Sequence, residues 1–78
     1  MAIGVRNYLE NLGHTVGYDK KTGDVLVKNS EGKMTSIGSD NFTLNDDGRY
    51  YAENEGDILS ALSKSGISAK MGYSPVRN

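Results

Sequence analysis

The chain has 78 residues, no cysteine and one histidine, and its nine Lys and Arg residues nearly balance its ten Asp and Glu residues. A chain of this length forms a single domain with a thin core, and without cysteine neither a disulfide nor a thiolate metal site can reinforce it. The net charge of −1 and the scattered basic residues argue against a nucleic-acid partner, and no apolar run is long enough to cross a membrane.

The first predicted element is a helix over residues 3–12. Val5 and Leu9 fall at helical spacing with Tyr8 beside them, so one face of this helix is apolar. Gly13 follows directly, at the position where a left-handed residue commonly ends a helix. A helix this short depends on packing against the rest of the domain.

Three strands joined by short polar turns are predicted next. Apolar and polar residues alternate over residues 24–29, and residues 14–18 and 33–38 are also predicted as strands. The turns at residues 19–23 and 30–32 are polar, and each contains a glycine. Strands joined by turns of this length run antiparallel, which predicts a meander.

A hairpin and a second helix complete the predicted fold. Residues 42–44 and 49–52 flank a tight turn at residues 45–48, and the acidic residues within 53–57 suit the positive end of a helix. Gly66 is expected to end that helix. The order of elements predicts an α+β domain, in which two helices cover one small antiparallel meander sheet of about five short strands.

Residues 1–68 are predicted to form this one domain, and residues 69–78 a tail or the start of a following repeat. A repeat is suggested because the tripeptide Val-Arg-Asn at residues 5–7 reappears at residues 76–78. Residues 67–73 are strand-like, and the alternative for the end of the chain is a disordered tail.

The titratable residues do not predict an active site. His14 is the only histidine, whereas a zinc or copper centre takes about three protein ligands, so we expect an ordinary residue at a strand edge. Glu53, Glu55 and Asp57 cluster, but the N-terminus of a helix explains them better than a pair of hydrolytic carboxylates. The aspartates of the predicted loops lack the spacing of a calcium loop. We therefore predict no catalytic residue, no metal and no cofactor, and a small hydrolase is the least favoured hypothesis.

The tyrosines are the candidate binding residues. Tyrosine combines apolar area with a hydroxyl group and is enriched at interfaces. Adjacent residues of a strand point to opposite faces, so one of Tyr50 and Tyr51 is expected to face solvent or a partner. We predict a binding surface formed by Tyr50, Tyr51, Tyr18 and Arg49. The alternative for Tyr18, as for Tyr8, is packing in the core.

Several motifs resemble one known family. Residues 12–25 begin with Leu-Gly and continue with the pattern V-x-Y-D-x-x-T-x-x-V, residues 48–51 read G-R-Y-Y before the second helix, and residues 75–77 read P-V-R. In this order the motifs resemble the N-terminal-like (stalk) domain of copper amine oxidases over most of the chain. The chain departs from the family pattern at Gly4, where proline is usual, and at residues 57–59, where P-x-R is usual.

The resemblance implies attachment and no copper chemistry, because the family is named for a stalk that is separate from the catalytic domain. Such modules occur in bacterial surface proteins and in phage structural or lytic proteins. We expect a non-catalytic attachment module of a phage virion or of its lytic or tail apparatus, since the chain starts at Met without a signal peptide. The alternative is a cell-wall or surface-layer binding module of an exported bacterial protein.

The resemblance and the small size of the domain also indicate what kind of partner to expect. A protein partner or self-association is predicted, with a cell-wall glycan as a further candidate. Self-association would stabilise a thin core and cover the exposed edges of a small sheet. No nucleic acid and no membrane is expected among the partners.

Overall fold

The computed structural model describes residues 2–70, which form six short strands and two helices. The α+β class expected from the sequence is confirmed. The elements in chain order are β1 (Ile3–Gly4), α1 (Val5–Asn11), β2 (Val16–Tyr18), β3 (Val25–Lys28), β4 (Met34–Gly38), β5 (Thr43–Leu44), β6 (Tyr50–Ala52) and α2 (Glu55–Lys64).

The strands form two antiparallel sheets of three strands each, rather than the single sheet of about five strands expected from the sequence. The meander sheet has the order β2-β3-β4, and the hairpin sheet has the order β1-β6-β5. The strands of the hairpin, β5 and β6, pair with no strand of the meander. Ile3 and Gly4, which the sequence predicts as helical, pair instead with Ala52 and Tyr51 of β6. This pairing gives the β5–β6 hairpin a third strand and a sheet of its own.

The meander sheet follows the predicted alternation. Its central strand, β3, buries Val25 and Val27 and exposes Lys28. Val27 lies opposite Val16 of β2 on one side and opposite Thr35 of β4 on the other. Residues two apart in a strand share a face, so the buried valines direct this sheet onto the core.

Both helices end where the sequence predicts. Gly13 follows α1 with a φ of 103°, a left-handed value that residues with a Cβ rarely adopt, and its N–H donates to the carbonyl of Glu10.

Helix α2 begins after Asn54, whose side chain accepts a hydrogen bond from the N–H of Asp57 at 3.1 Å. Such a cap satisfies one of the free N–H groups at a helix start and stabilises the helix by about 1 kcal/mol.

One hydrophobic core joins the two helices and the two sheets. The helices α1 and α2 supply its largest fully buried side chains, and both sheets contribute at least one residue. The thinness expected for a chain of this length is reflected in the small number of these side chains. The buried apolar residues are Val5, Leu9, Val16, Val25, Val27, Ile37, Phe42, Ala52, Ile58, Ala61, Leu62 and Ile67.

The residues after α2 pack back onto the domain. Ile67 is buried, and its N–H donates to the carbonyl of Leu62 at 3.0 Å. Residues 67–70 form no strand, and the remainder of the strand expected at 67–73 lies outside the described residues, as does the tripeptide at 76–78. The division into a domain of residues 1–68 and a tail or repeat of residues 69–78 stays a prediction.

His14 is not the ordinary residue at a strand edge that the sequence suggests. Its side chain is 4% exposed, and its Nε2 atom accepts a hydrogen bond from the backbone N–H of Lys70 at 3.0 Å. The ring is buried because the chain after α2 covers it, which is a tertiary contact that local sequence cannot reveal.

Candidate binding cleft

A cleft of about 380 Å³ brings together all four residues predicted to bind. We call it the tyrosine cleft. It lies between the start of the chain, the end of β2, the β5–β6 turn and β6. Its lining consists of Gly4, Arg6, Asn7, Tyr18, Asp47, Gly48, Arg49, Tyr50 and Tyr51.

Tyr50 forms the inner side of the cleft and ties the two sheets together. Its hydroxyl donates a hydrogen bond to the carbonyl of Gly23, in the turn between β2 and β3, at 2.7 Å. Its ring centroid lies 6.0 Å from that of Tyr18 and 6.5 Å from that of Phe42, the latter in an edge-on arrangement. Aromatic pairs at these distances are favourable contacts. Tyr50 therefore packs against the core and also lines the cleft.

Tyr51 forms a different set of contacts, as expected for neighbours on a strand. Its hydroxyl donates to Oδ2 of Asp47 at 2.5 Å, while Oδ1 of Asp47 accepts from the backbone N–H of Arg49 at 2.9 Å. The bond to Asp47 raises the pKa of the Tyr51 hydroxyl, and the same bond lowers the pKa of the Asp47 carboxyl. Both pKa values move away from neutral pH. At neutral pH, Asp47 is therefore a carboxylate and Tyr51 keeps its hydroxyl proton.

Arg6 covers Tyr18 at the α1 side of the cleft. Its guanidinium carbon lies 5.3 Å from the centroid of the Tyr18 ring, a cation–π contact. Its Nη2 donates to the carbonyl of Val16 at 3.3 Å, and its Nε pairs with Glu10 at 3.2 Å. An exposed ion pair of this kind contributes little stability by itself. Together, however, these contacts hold the Arg6 side chain in one position.

Arg49 is the cation of the cleft that remains free to bind. Within residues 2–70, the contact between Arg6 and Glu10 is the only ion pair, so no carboxylate in this part of the chain forms a salt bridge with Arg49. The charge of Arg49 acts on the Asp47 carboxylate through space and helps to lower its pKa. The lining carries two guanidinium groups and one carboxylate, and Glu10 already pairs with one of the guanidinium groups. The cleft therefore offers a planar cation that forms no salt bridge with any described residue, beside aromatic rings.

The sequence did not indicate Arg6, Asn7 or Asp47 as parts of this cleft. The spacing of Arg6 and Glu10 is that of an ion pair on a helix and could have suggested their contact. Nothing local indicates that Arg6 lies over Tyr18, because that contact depends on how α1 packs beside β2.

Glu55, one of the acidic residues near the start of α2, has a structural contact. Glu55 and Asp57 lie in the first turn of α2, as expected, and Glu55 accepts a hydrogen bond from the Tyr8 hydroxyl at 2.6 Å. This bond raises the pKa of Tyr8. The Tyr8 ring packs against the core, which was the alternative considered for it. Between residues 2 and 70, no three His, Cys, Asp or Glu side chains are arranged to hold a metal ion.

Comparisons with known proteins provide no relative. No protein-family model, no curated protein and no solved structure matches the chain. The similarity to the stalk domain of copper amine oxidases therefore stays a prediction, as do the attachment function and the phage or cell-surface setting that it implies. In the described part of the chain, neither helix is long and apolar enough to cross a membrane.

Proposed function

We propose that this chain is a non-catalytic attachment module, which binds an acidic group of a partner protein in the tyrosine cleft. The observation that carries the proposal is the Arg49 guanidinium, which lies beside Tyr51 and Tyr50 in that cleft and forms no salt bridge within residues 2–70. The resemblance of the motifs suggests a phage virion, or its lytic or tail apparatus, as the setting.

The chemistry of the free groups supports an acidic ligand. A guanidinium group presents planar N–H donors that match the two oxygens of a carboxylate, and hydrogen bonds between charged groups are the strong ones. Tyrosine rings beside it add apolar contact area with few side-chain torsions to restrict. Tyrosine and arginine are also the residue types that most often dominate the energetics of interfaces.

The internal contacts of the cleft support binding over catalysis. Hydrogen bonds already occupy the hydroxyls of Tyr50 and Tyr51, and the carboxylate of Asp47 accepts two of them. Groups held in this way are preorganised, so a partner does not have to order them on binding. His14, the one buried polar side chain among the described residues, does not line the tyrosine cleft.

The second candidate function is a cell-wall or surface-layer binding module. The cleft offers the Asn7 amide as well as the Arg49 guanidinium, and both can bond to the hydroxyl and acidic groups of a glycan. The partner protein is preferred because an arginine beside tyrosine rings matches the composition of protein interfaces.

Replacing Arg49 with Gln is expected to weaken binding of acidic peptides about tenfold, or about 1.4 kcal/mol. The probes are short peptides with one Glu between apolar residues, and the same peptides with Gln. Binding is measured by the shifts of backbone amide signals in NMR spectra. We expect the Glu peptides to shift the signals of residues 48–51 and the Gln peptides to bind more weakly.

Lys33→Gln is the matched control, because it removes an exposed cation from the turn between β3 and β4, away from the cleft. It should bind the Glu peptides like the unchanged chain. Equal binding of Glu and Gln peptides, or shifts confined to another surface, would contradict the proposal. Retention on purified peptidoglycan that Arg49→Gln abolishes, without any peptide binding, would favour the glycan-binding candidate.

Neighbouring genes for virion components would support the phage setting, and a signal sequence upstream would oppose it.

Self-association is a further part of the proposal, and it concerns the outer strand of the hairpin sheet. Within the described residues, β5 pairs with β6 alone, and its Leu44 is 57% exposed. An uncovered strand edge with an apolar side chain favours pairing with another chain. We expect the sedimentation coefficient to rise with concentration and Leu44→Lys to suppress that rise. A concentration-independent monomer would remove self-association from the proposal.

A further inference from the structure

A second cleft, of about 400 Å³, contains the buried His14 ring and lies apart from the tyrosine cleft. The residues before β2, the end of β3 and the residues after α2 form its walls. Its lining consists of His14, Lys28, Asn29, Ser30, Gly66, Ile67, Ser68, Ala69 and Lys70.

The hydrogen bond between His14 and Lys70 determines which form of the imidazole is present. Nε2 accepts the backbone N–H of Lys70 at 3.0 Å, so Nε2 carries no proton. A neutral imidazole has a proton on one nitrogen only, which places it on Nδ1. Nδ1 is buried and has no hydrogen-bond partner within the described residues. The ring is therefore held as a neutral acceptor for Lys70.

Protonation of His14 is incompatible with this contact. An imidazolium ring donates from both nitrogens and accepts from neither, so Nε2 would direct its proton at the N–H of Lys70. The charge would also lie in a buried position, where desolvation disfavours it. The closed contact and the cationic ring therefore exclude each other.

The charged groups around the His14 ring also disfavour its protonation. Lys70 on the segment after α2 and Lys28 at the end of β3 line the cleft, and no Asp or Glu is among its lining residues. Burial and the positive charge of Lys70 lower the pKa of His14 below its ordinary value of 6.5. At neutral pH the ring is thus uncharged and able to accept the bond.

Few contacts hold the segment beyond Ile67. Ile67 is 7% exposed and is anchored by its N–H bond to Leu62, whereas residues 68–70 are exposed. Within the described residues, their hydrogen bonds to the domain come from Lys70 alone, through its N–H to His14 and its Nζ to the carbonyl of Gly13 at 3.4 Å. The first of these bonds is the one that protonation removes.

We propose that the contact between His14 and Lys70 is an acid-sensitive latch, which releases residues 68–70 when the imidazole is protonated. Ile67 stays buried and limits the release to these three residues. At neutral pH the latch holds residues 68–70 against the domain, and in acid it frees them. The latch is independent of the tyrosine cleft and of what the cleft binds.

The direction of the pH dependence follows from the lowered pKa of His14. The released form binds a proton more readily than the closed form, so acid favours release. The stability of the latch is fully present above about pH 6.5, the ordinary value, and is lost as the pH falls through the lower pKa of the closed form.

The test uses the full chain labelled with ¹⁵N, at about pH 7.5 and about pH 4.5, which bracket the ordinary pKa of histidine. Acid is expected to lower the hydrogen-exchange protection of the Lys70 amide about tenfold or more, and to leave the Ile67 amide protected. His14→Gln keeps a side-chain acceptor that does not titrate, so its Lys70 amide should stay protected at both pH values. Equal loss of protection in His14→Gln and in the unchanged chain would overturn the proposal.

Two variants of Lys70 keep the test decisive if His14→Gln does not fold. Lys70→Pro removes the N–H that His14 accepts, whereas Lys70→Gln keeps this N–H and removes the charge and the Nζ bond to the Gly13 carbonyl. We expect order in residues 68 and 69 at neutral pH to be lost in Lys70→Pro and retained in Lys70→Gln. The latch would be refuted if residues 68–70 of the unchanged chain stayed ordered at a pH where the His14 ring is shown to be protonated.

Discussion

Replacing Leu62 with Ala is expected to lower the free energy of unfolding by about 2–5 kcal/mol. The Leu62 side chain is completely buried, on the face of α2 that also buries Ile58. A neighbouring residue cannot fill the space without moving an element, because the core is thin and shared by both sheets and both helices. A domain of this size has a total stability of only about 4–12 kcal/mol, so the loss is a large part of it. Urea denaturation followed by circular dichroism measures the change.

Leu59→Ala is the matched control for this prediction. Leu59 lies on the same helix and loses the same atoms on substitution, but its side chain is only partly buried. We expect it to cost about 1 kcal/mol or less, since little cavity forms at a partly exposed site. Similar losses for the two variants would show that α2 does not pack on the core as described.

Replacing Gly23 with Ala is expected to destabilise the domain by about 2 kcal/mol, for two separable reasons. Gly23 has a φ of +80°, a left-handed value at which a Cβ is strained. A Cβ there would also lie 3.3 Å from the hydroxyl of Tyr50, the group that donates to the Gly23 carbonyl. Gly32→Ala isolates the first effect, because Gly32 has a φ of +83° but no atom within 4 Å of the added Cβ. It should cost about 1 kcal/mol.

A double-mutant cycle assigns the additional loss to Tyr50. In a Tyr50→Phe background the hydroxyl is absent, so Gly23→Ala should cost no more than Gly32→Ala. Thermal unfolding of the single and double variants measures these losses, because each kcal/mol of lost stability lowers the melting temperature by about 4–8 °C. If Gly23→Ala costs the same in both backgrounds, the bond between the two sheets is not the reason for its effect.

The helices and the meander could be predicted because their signals are local. The apolar spacing of Val5 and Leu9 and the glycines that follow both helices place α1 and α2 to within a few residues. The alternation around Val25 and Val27, with short polar turns on either side, places the meander strands. Each of these signals depends on residues within a few positions of one another.

The second sheet could not be predicted in the same way. Ile3 and Gly4 carry no strand signal, and they form a strand only because β6 lies beside them after the chain has folded. Similarly, His14 is a polar residue before a strand, and the segment after α2 buries it. Both outcomes rest on pairings between distant parts of the chain, which local patterns do not encode.

The candidate site also combines features that local sequence predicts with features that only tertiary contacts produce. The sequence by itself determined the α+β class and the positions of the helices and the meander, because residue type and local periodicity carry that information. It also suggested Tyr18, Arg49, Tyr50 and Tyr51 as candidate binding residues, and their binding role stays a prediction. Only the tertiary structure decided that these four residues share one cleft, that Arg6 covers Tyr18, and that Lys70 closes over His14. The physical reason is that each of these contacts joins elements distant in sequence, and their packing against a common core sets the distances.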